Sequence, residues 1–334
     1  MSDWELDDDL RDEILRRIIL PLYFPAGPVG ESPTLVLLAG QPGSGARRSL
    51  GVLIAEHGPD LAVVSGDDLR AFHPRFAEIT AAQEREARGG LARATAGWVR
   101  DCIRYARESR RSLLLEGTFQ DSSVVAGTAE RFAAAGFQTR VVVVASRRAE
   151  SLLSVTSLYL RDVRAGMPGR FTSRETHDRG FEATRALVAA AANAASIDRL
   201  TVLDRDGSTV FDEHHADGFI GASAALSAVQ SARLSRFDAT QWLSELHHVT
   251  EFAASLRDLP HGVTELLVDL HETALREVIP ELHVPADGMF ATAIEQKTVA
   301  GLVALRRSLQ REQPVNAAAP VLAPTGPERG GVSR

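Results

Sequence analysis

The 334-residue sequence has little cysteine, no excess of positive charge and no long apolar run. Its single cysteine, Cys102, excludes an intramolecular disulfide and suits a reducing compartment. The net charge is −7, so nothing global attracts nucleic acid or an anionic membrane surface. No uninterrupted apolar run approaches the length of a membrane span, and the first nine residues are acidic, unlike a secretory leader. We therefore expect a soluble, cytoplasmic protein without a nucleic-acid or membrane partner.

Apolar segments that are typical of buried strands alternate with helical segments over residues 31–212. This order predicts an α/β protein with a parallel sheet flanked by helices. Residues 1–30 precede this region. They predict a helix from about Leu6 to Leu20, which ends before Pro21, followed by a linker. A long helix is predicted from about Ala81 to Ser109.

Beyond residue 212 the strand signal stops, and 44% hydrophobic residues are enough to bury a further core. Residues 213–312 predict a helical C-terminal extension, with one helix capped at Asp238 and two more at about Val263–Val278 and Met289–Arg311. Residues 313–334 have few large apolar side chains and are expected to be disordered.

The first predicted strand enters a glycine-rich turn, residues 40–45, with the spacing of a phosphate-binding loop. In such loops backbone N–H groups and a helix N-terminus face the phosphates, and a lysine followed by serine or threonine completes the motif. Here Ala46 and Arg47 stand in those two places. Arg47 or Arg48 is a candidate for the missing charge and Ser49 for the hydroxyl; alternatively, both arginines are solvated. The candidate nucleotide-binding residues are Gly40, Gln41, Pro42, Gly43, Ser44, Gly45, Arg47 and Arg48.

Carboxylates follow the next two predicted strands: Asp67 and Asp68 after the second, and Glu116 after the third. Ligands of parallel sheets bind at the carboxyl ends of the strands, so we expect these groups beside the glycine loop. The aspartate pair suits a general base or a metal ligand, with an Asp helix cap as the alternative. Glu116 suits a sugar hydroxyl or a metal-bound water, with a loop cap as the alternative. No Cys/His zinc pattern is present, and no metal ligand is assigned.

A glycine-flanked segment near residues 166–172 lies between two predicted helices and belongs to a region rich in arginine. Such a segment is typical of a lid that closes over a transferred phosphate, although charge runs are also common on solvated faces. His177 precedes Asp178, but the sequence shows no serine or cysteine placed for a catalytic triad. The arginines are Arg161, Arg164, Arg170, Arg174 and Arg179.

Further motifs follow the loop in order along the chain: Gly66-Asp67-x-x-x-Arg70-x-x-His73-Pro74, Glu116-Gly117-Thr118, Tyr159, and Arg170-x-Thr172 with His177-Asp178. Taken together they resemble the zeta toxin family, the kinase component of epsilon–zeta toxin–antitoxin systems. The resemblance covers about residues 30–212.

Members of that family are P-loop kinases that use ATP and Mg²⁺ to phosphorylate a sugar hydroxyl of UDP-N-acetylglucosamine, and they pair with a small helical antitoxin. The resemblance therefore implies a P-loop kinase-like sheet over residues 31–212. It also implies that this chain binds ATP, Mg²⁺ and UDP-N-acetylglucosamine or a related sugar nucleotide, and that it has a small helical antitoxin as its partner. It also implies that Asp67 is the catalytic base and that Arg170 stabilises the transferring phosphoryl group. The expected substrate-binding residues are Asp68, Arg70, His73, Glu116, Thr118 and Tyr159.

The departures from the family pattern concern phosphate charge. Ala46 and Arg47 replace the loop lysine and its Ser/Thr, and family arginines appear here as Gln120 and Leu158. The leading hypothesis is a zeta-toxin-like, ATP-dependent sugar-nucleotide kinase whose arginines supply the missing charge. The alternative is a catalytically silent nucleotide- or sugar-nucleotide-binding or regulatory protein. A change introduced at position 46 would explain Ala46 but not the other three departures.

Overall fold

One sheet organises the computed structural model, which describes residues 4, 6–25, 27, 32–82, 85–167, 169–256, 259–285 and 288–312, without the side chains of residues 81, 82, 85–88 and 312. Within these residues six strands lie in the order β2-β3-β1-β4-β5-β6. The first five strands are parallel, and the last is antiparallel to its neighbour. The strands are β1 (Thr34–Gly40), β2 (Ala62–Ser65), β3 (Leu113–Gly117), β4 (Gln138–Val144), β5 (Arg199–Leu203) and β6 (Thr209–His214).

The central strand β1 is covered on both faces. Leu35 and Leu37 belong to one apolar cluster with Trp98, whereas Val36 and Leu38 belong to another on the opposite face. Successive side chains of a strand point to opposite faces, so a strand buried on both sides needs a continuous apolar run. The prediction of a P-loop kinase-like α/β sheet flanked by helices is confirmed.

Helices cover both faces of the sheet and build the C-terminal part of the described chain. None of the described helices combines the length and the apolar composition that crossing a bilayer requires. The helices are α1 (Asp8–Ile14), α2 (Leu20–Tyr23), α3 (Ala46–His57), α4 (Gly66–Leu69), α5 (Phe76–Ala82), α6 (Arg85–Glu108), α7 (Ser122–Ala134), α8 (Arg148–Arg164), α9 (Arg174–Ala191), α10 (Ala222–Ser231), α11 (Arg236–Ser255), α12 (His261–Thr273) and α13 (Met289–Glu312).

The N-terminal helical region corrects one predicted boundary. A π-helical turn, Leu15–Ile19, joins α1 to α2, and helix continues through Pro21 to Tyr23. Proline breaks a helix interior because it lacks an N–H, but it is tolerated in a first turn. Here Pro21 stands in the first turn of α2, just after the wider turn, so the helix does not end before it. Of the helix predicted at about 81–109, the structure describes the end of α5 and the whole of α6, and residues 83 and 84 lie outside the described residues.

The C-terminal extension packs on α8 through an apolar cluster of its own. Trp242 and Leu246 of α11 and Leu267 of α12 meet Leu152 of α8 there, and the Trp242 indole Nε1 donates to the Ala149 carbonyl at 3.1 Å. The extension also contains α10, which the sequence analysis missed. The predicted tail at 313–334 lies outside the described residues.

The predicted cap of α11 is corrected. Ser235, not Asp238, is the N-cap residue: its hydroxyl accepts the Asp238 backbone N–H at 3.1 Å. The Asp238 carboxylate in turn accepts from the Ser235 hydroxyl at 2.5 Å. Asp238 therefore stands at N3, and the cap and the helix start lie three residues earlier than predicted.

A largely buried ion pair fastens the extension to the sheet. Arg147, between β4 and α8, donates to both oxygens of Glu281 at 2.9 and 3.2 Å, and the Leu234 backbone N–H donates to the same carboxylate at 2.9 Å. Arg147 and Glu281 are 11% and 14% exposed. Removing one partner would leave the other charge buried without its counter-ion.

We predict that Glu281→Ala lowers the free energy of unfolding by about 3–5 kcal/mol, because it leaves the Arg147 guanidinium buried without its partner. Urea denaturation of the full chain measures the change. Glu277→Ala is the matched control: it removes a more exposed pair with Arg276 and should change stability by less than about 1 kcal/mol. Equal effects of the two variants would contradict the role given to Glu281.

Candidate functional site

The glycine-rich turn between β1 and α3 forms a cradle that only glycine can build. Gly43 and Gly45 have φ angles of 80° and 99°, in the left-handed region. A Cβ on Gly43 would lie 2.2 Å from the Ser151 carbonyl oxygen, and one on Gly45 would lie 2.9 Å from that of Arg205. Within the described chain no side chain caps α3, whose first-turn N–H groups can face an anion.

Neighbouring segments hold the turn in place. The buried Gln41 side chain donates from Nε2 to the Ser146 carbonyl at 2.8 Å. The Ser44 backbone N–H donates to the Gln41 carbonyl at 3.0 Å. Pro42 lies against α9, where a Cβ on Gly180 would be 2.7 Å from its Cδ. The cradle is therefore fixed by β4–α8 and by α9 before any ligand arrives.

The two arginines after the turn are directed to carboxylates on opposite sides. Arg47 Nη2 lies 3.5 Å from an Asp68 oxygen, and Arg48 Nη1 donates to Asp206 at 2.9 Å. Both arginines are largely exposed, whereas Ser49 is fully buried. Ser49 thus faces the interior and not the solvent-exposed side on which the two arginines lie.

No lysine can take the missing position, because the sequence contains a single lysine, Lys297. It lies in α13 and contacts Glu251 at 2.8 Å. Every other basic side chain apart from histidine is an arginine, so a permanently charged side chain that reaches the cradle must be a guanidinium.

The carboxylates converge at the carboxyl ends of the strands, as the sequence analysis predicted. Ser65, the last residue of β2, pairs in register with Glu116 of β3. Asp67 and Asp68 follow in the first turn of α4, where the Ser65 hydroxyl accepts the Asp67 N–H at 3.2 Å. Because Ser65 is the cap, the interpretation of the aspartates as a helix cap is wrong.

Glu116 is the most shielded of the three carboxylates. Burial raises the pKa of its carboxyl, Asp68 and Asp67 raise the pKa further, and Arg47 partly offsets them. Glu116 therefore takes up a proton more readily than an ordinary glutamate, which suits a hydrogen bond to a hydroxyl group.

Arg170 reaches the predicted base directly. Its Nη1 donates to both oxygens of Asp67, and Arg70 Nε lies 3.8 Å from the same carboxylate. Burial lowers the pKa of Arg70, and the like charge of Arg170 lowers the pKa further. The segment before α9 therefore brings its arginine to the edge of the sheet, 103 residues away along the chain.

The other predicted substrate-binding residues have different surroundings. The buried His73 accepts the Arg75 backbone N–H at Nδ1, 3.2 Å away, and burial lowers the pKa of its ring. Thr118 follows β3 and is half-buried. The Tyr159 ring packs edge-on against Phe171 at 5.6 Å, so Tyr159 supports the segment that carries Arg170.

Of the remaining arginines, Arg164 faces the extension. Its guanidinium stacks over the Phe252 ring at 4.2 Å, and its Nη1 lies 3.2 Å from His248 Nε2.

A serine–histidine–aspartate chain that the sequence analysis missed lies under the cradle. Ser151 Oγ is 2.9 Å from His177 Nε2, and His177 Nδ1 is 3.1 Å from Asp178. Burial lowers the pKa of His177, which favours the neutral ring. Ser151 and His177 are fully buried, so the chain is a support and not a nucleophile. Arg148 extends it, donating to Asp178 and to Asp269 of α12.

Two cavities lie near the cradle. One, of about 460 Å³, opens beside Asp67. The other, of about 560 Å³, has Arg48, Arg161 and Asp206 in its wall, together with Trp242 of the extension.

The cradle fits a phosphate group, because its glycines leave room where a Cβ would clash and its helix N-terminus is open. The described residues contain no group of three or more His, Cys, Asp or Glu side chains placed to hold a metal ion.

Comparisons with known proteins agree with this geometry. The family model for Zeta toxin matches residues 25–216. The chain is 28% identical over 152 residues to Toxin zeta of Enterococcus hirae, covering 44% of this chain and 52% of the relative. It is 24% identical over 190 residues to Toxin PezT of Streptococcus pneumoniae serotype 4, covering 54% and 72%. The chain spans about half the length of the zeta toxin from Enterococcus hirae.

Among solved structures, the fold is similar to a chain from the PezAT chromosomal toxin–antitoxin system of Streptococcus pneumoniae. The TM-score is 0.65 at 19% identity, and the match covers 74% of this chain and 99% of the other. At this identity the likeness establishes the fold alone.

We predict that Glu116→Gln stabilises the protein near neutral pH. A carboxyl whose pKa is raised by folding contributes stability below its unfolded pKa, about 4.3, and loses it as the pH rises through the folded pKa. The melting temperature should therefore rise at about pH 7.5 and change little at about pH 4. Glu130→Gln, at an exposed position of α7, is the control and should be neutral. A lower melting temperature for Glu116→Gln near neutral pH would contradict the burial argument.

Proposed function

Because this chain belongs to the zeta toxin family, we propose that it is an ATP-dependent kinase that phosphorylates a sugar hydroxyl of UDP-N-acetylglucosamine or of a related sugar nucleotide. The observation that carries the proposal is the contact of Arg170 with Asp67 beside an intact glycine cradle. A pure binding protein has no need of a carboxylate paired with an exposed cation at that point.

The proposed reaction assigns one task to each group. Asp67 takes the proton of the acceptor hydroxyl while the oxygen of that hydroxyl bonds to the γ-phosphorus of ATP. The bond between the γ-phosphorus and the oxygen that bridges it to the β-phosphate breaks. Arg170 leaves Asp67 and stabilises the charge on the transferring phosphoryl group. The cradle holds the phosphates with backbone N–H groups, and Arg47 swings from Asp68 toward them. Mg²⁺ bound with ATP would neutralise phosphate charge, and no residue is assigned to hold it.

The alternative of a catalytically silent binding protein has its own support. Both arginines after the cradle already have carboxylate partners, Asp68 for Arg47 and Asp206 for Arg48. If those pairs persist with nucleotide bound, the γ-phosphate has no cation from the loop. A small helical antitoxin remains a proposed partner in either case, because the similar PezAT chain comes from a toxin–antitoxin system.

The direct test is turnover. We expect the full chain, with ATP, Mg²⁺ and UDP-N-acetylglucosamine, to yield a phosphorylated sugar nucleotide detectable by mass spectrometry. Asp67→Asn should lower kcat by about 10²–10⁴-fold, since it removes the general base. Asp60→Asn, an exposed carboxylate outside the site, is the control. Absence of product from the wild-type chain, with ATP binding still visible by calorimetry, would favour the silent protein.

A second pair of variants separates the two hypotheses at the loop. If Arg47 supplies the missing charge, Arg47→Ala should lower kcat by about 10²-fold, and Arg48→Ala by less, because Arg48 is held by Asp206. Ala46→Lys should then change kcat by less than about tenfold, because charge is already present. Activity that appears only in Ala46→Lys would show that the natural loop is silent.

A further inference from the structure

A tight turn after β5 places a third arginine against the cradle. The Asp204 side chain fixes this turn, because its Oδ1 accepts the backbone N–H groups of Asp206 and Ser208 at 2.9 and 2.8 Å. Arg205 follows Asp204, and a Cβ on Gly45 would lie 2.9 Å from the Arg205 carbonyl oxygen and 3.3 Å from its Cγ. The stem of the Arg205 side chain therefore lies against the last glycine of the cradle.

The same turn packs along helix α3, which begins at the cradle. Arg48 of α3 donates to Asp206 at 2.9 Å, and a Cβ on Gly207 would lie 3.9 Å from Val52 Cγ2. Residues 48 and 52 are one turn apart on the same face of that helix, so the two contacts lie in one row. The backbone of Arg205 is therefore held in place relative to the cradle.

The guanidinium of Arg205 has no carboxylate partner in the described part of the chain. Its Nη2 donates to the Ser154 hydroxyl of α8, and its Nη1 is buried without a hydrogen-bond partner there. Burial raises the pKa of Glu150, and Arg205 offsets only part of that rise. Arg47 and Arg48, in contrast, each form an ion pair. Of these three arginines, Arg205 is thus the one whose charge is not already paired.

Arg205 also lines the cavity of about 560 Å³ on the α8 side of the cradle. Ser154 and Ser157 of α8 line the same cavity, and the Ser157 hydroxyl, in a residue only 6% exposed, has no partner among the described residues. Buried donors without partners are unfavourable, so both groups gain when a ligand oxygen comes within reach. A phosphate group matches them, because it carries negative charge and several acceptor oxygens.

We infer that Arg205 supplies part of the positive charge that the loop lacks: its guanidinium binds phosphate oxygens of the nucleotide held in the cradle. The inference rests on the proposed function for the presence of a nucleotide, and it goes beyond it by naming a cation outside the loop. Arg47 has to leave Asp68 before it can act, whereas Arg205 already lies against Gly45 without an ion pair. A charge that is already in place needs less reorganisation when the phosphates bind.

Tripolyphosphate and adenosine separate the two ends of the nucleotide, and calorimetry on the full chain measures the binding of each. Arg205→Met keeps an apolar stem against Gly45 and removes the charge. It should weaken tripolyphosphate binding at least about tenfold and leave adenosine binding as in the wild type. Unchanged tripolyphosphate affinity would overturn the inference. An equal loss for adenosine would also overturn it, because Arg205 would then act on the base or on the fold.

A lysine at its usual place in the loop supplies the rescue. Adding Ala46→Lys to the Arg205→Met chain should return tripolyphosphate affinity to within about threefold of the wild type. Arg233→Met is the matched control: it removes the same charge from the wall of the same cavity, at an exposed position of the extension. It should change the affinity by less than about threefold, because salt screens a charge that does not touch the ligand. Failure of the rescue, or an equal loss in the control, would contradict the assignment.

A measurement on the unaltered chain is independent of how the variants fold. Phenylglyoxal modifies accessible arginines, and mass spectrometry of the digested protein gives the rate at each one. Tripolyphosphate should slow the modification of Arg205 at least about tenfold and leave that of Arg233 unchanged. Equal rates at Arg205 with and without tripolyphosphate would overturn the inference.

These outcomes are separate from turnover. Tripolyphosphate binding that depends on Arg205, in a chain that phosphorylates no sugar nucleotide, would support the inference and contradict the kinase proposal. Turnover with the same kcat/KM for ATP in Arg205→Met as in the wild type would support the kinase proposal and overturn the inference.

Discussion

The position of the whole site depends on the burial of strand β1. Because β1 is covered on both faces, its polar turn can only lie at the strand's end, where residues 40–45 leave the sheet. There the chain passes so close to the Ser151 and Arg205 carbonyls that Gly43 and Gly45 have no room for a side chain. The cradle is thus a consequence of packing, and its shape exists without a ligand.

Carboxylates and arginines lie beside the cradle and form ion pairs with one another. Three carboxylates meet at one edge of the sheet, and arginines reach two of them directly. An exposed guanidinium is flexible and binds two oxygens at once, so it can bind a carboxylate in the ligand-free protein and a phosphate when a nucleotide is bound. This flexibility is the physical basis on which a loop without lysine is proposed to work. The carboxylates are Asp67, Asp68 and Glu116, and the contacting arginines are Arg47, Arg70 and Arg170.

The extension is coupled to this edge through α8. Arg147 precedes that helix as its N-cap residue and Arg148 begins it, and each binds a carboxylate of the C-terminal part, Glu281 and Asp269 respectively. Ser151, one turn later, contacts both Gln41 of the cradle and His177. Residues far beyond the family match therefore support the glycine turn. The sequence analysis assigned them no task because pairs so distant along the chain leave no local pattern.

The sequence by itself determined the alternation of strands and helices, the glycine turn and the carboxylates at the strand ends, because each depends on neighbouring residues and a strict period. Local rules failed at Pro21, because a π-helical turn precedes it and the proline stands in the first turn of the next helix. They also failed at Ser235, because Ser235 and Asp238 are both suitable N-cap residues and only one can cap the helix. Only the tertiary structure decided that Arg48 meets Asp206 and that Arg170 meets Asp67. Those partners lie 158 and 103 residues apart, and long side chains bind whichever carboxylate the folded chain brings within reach.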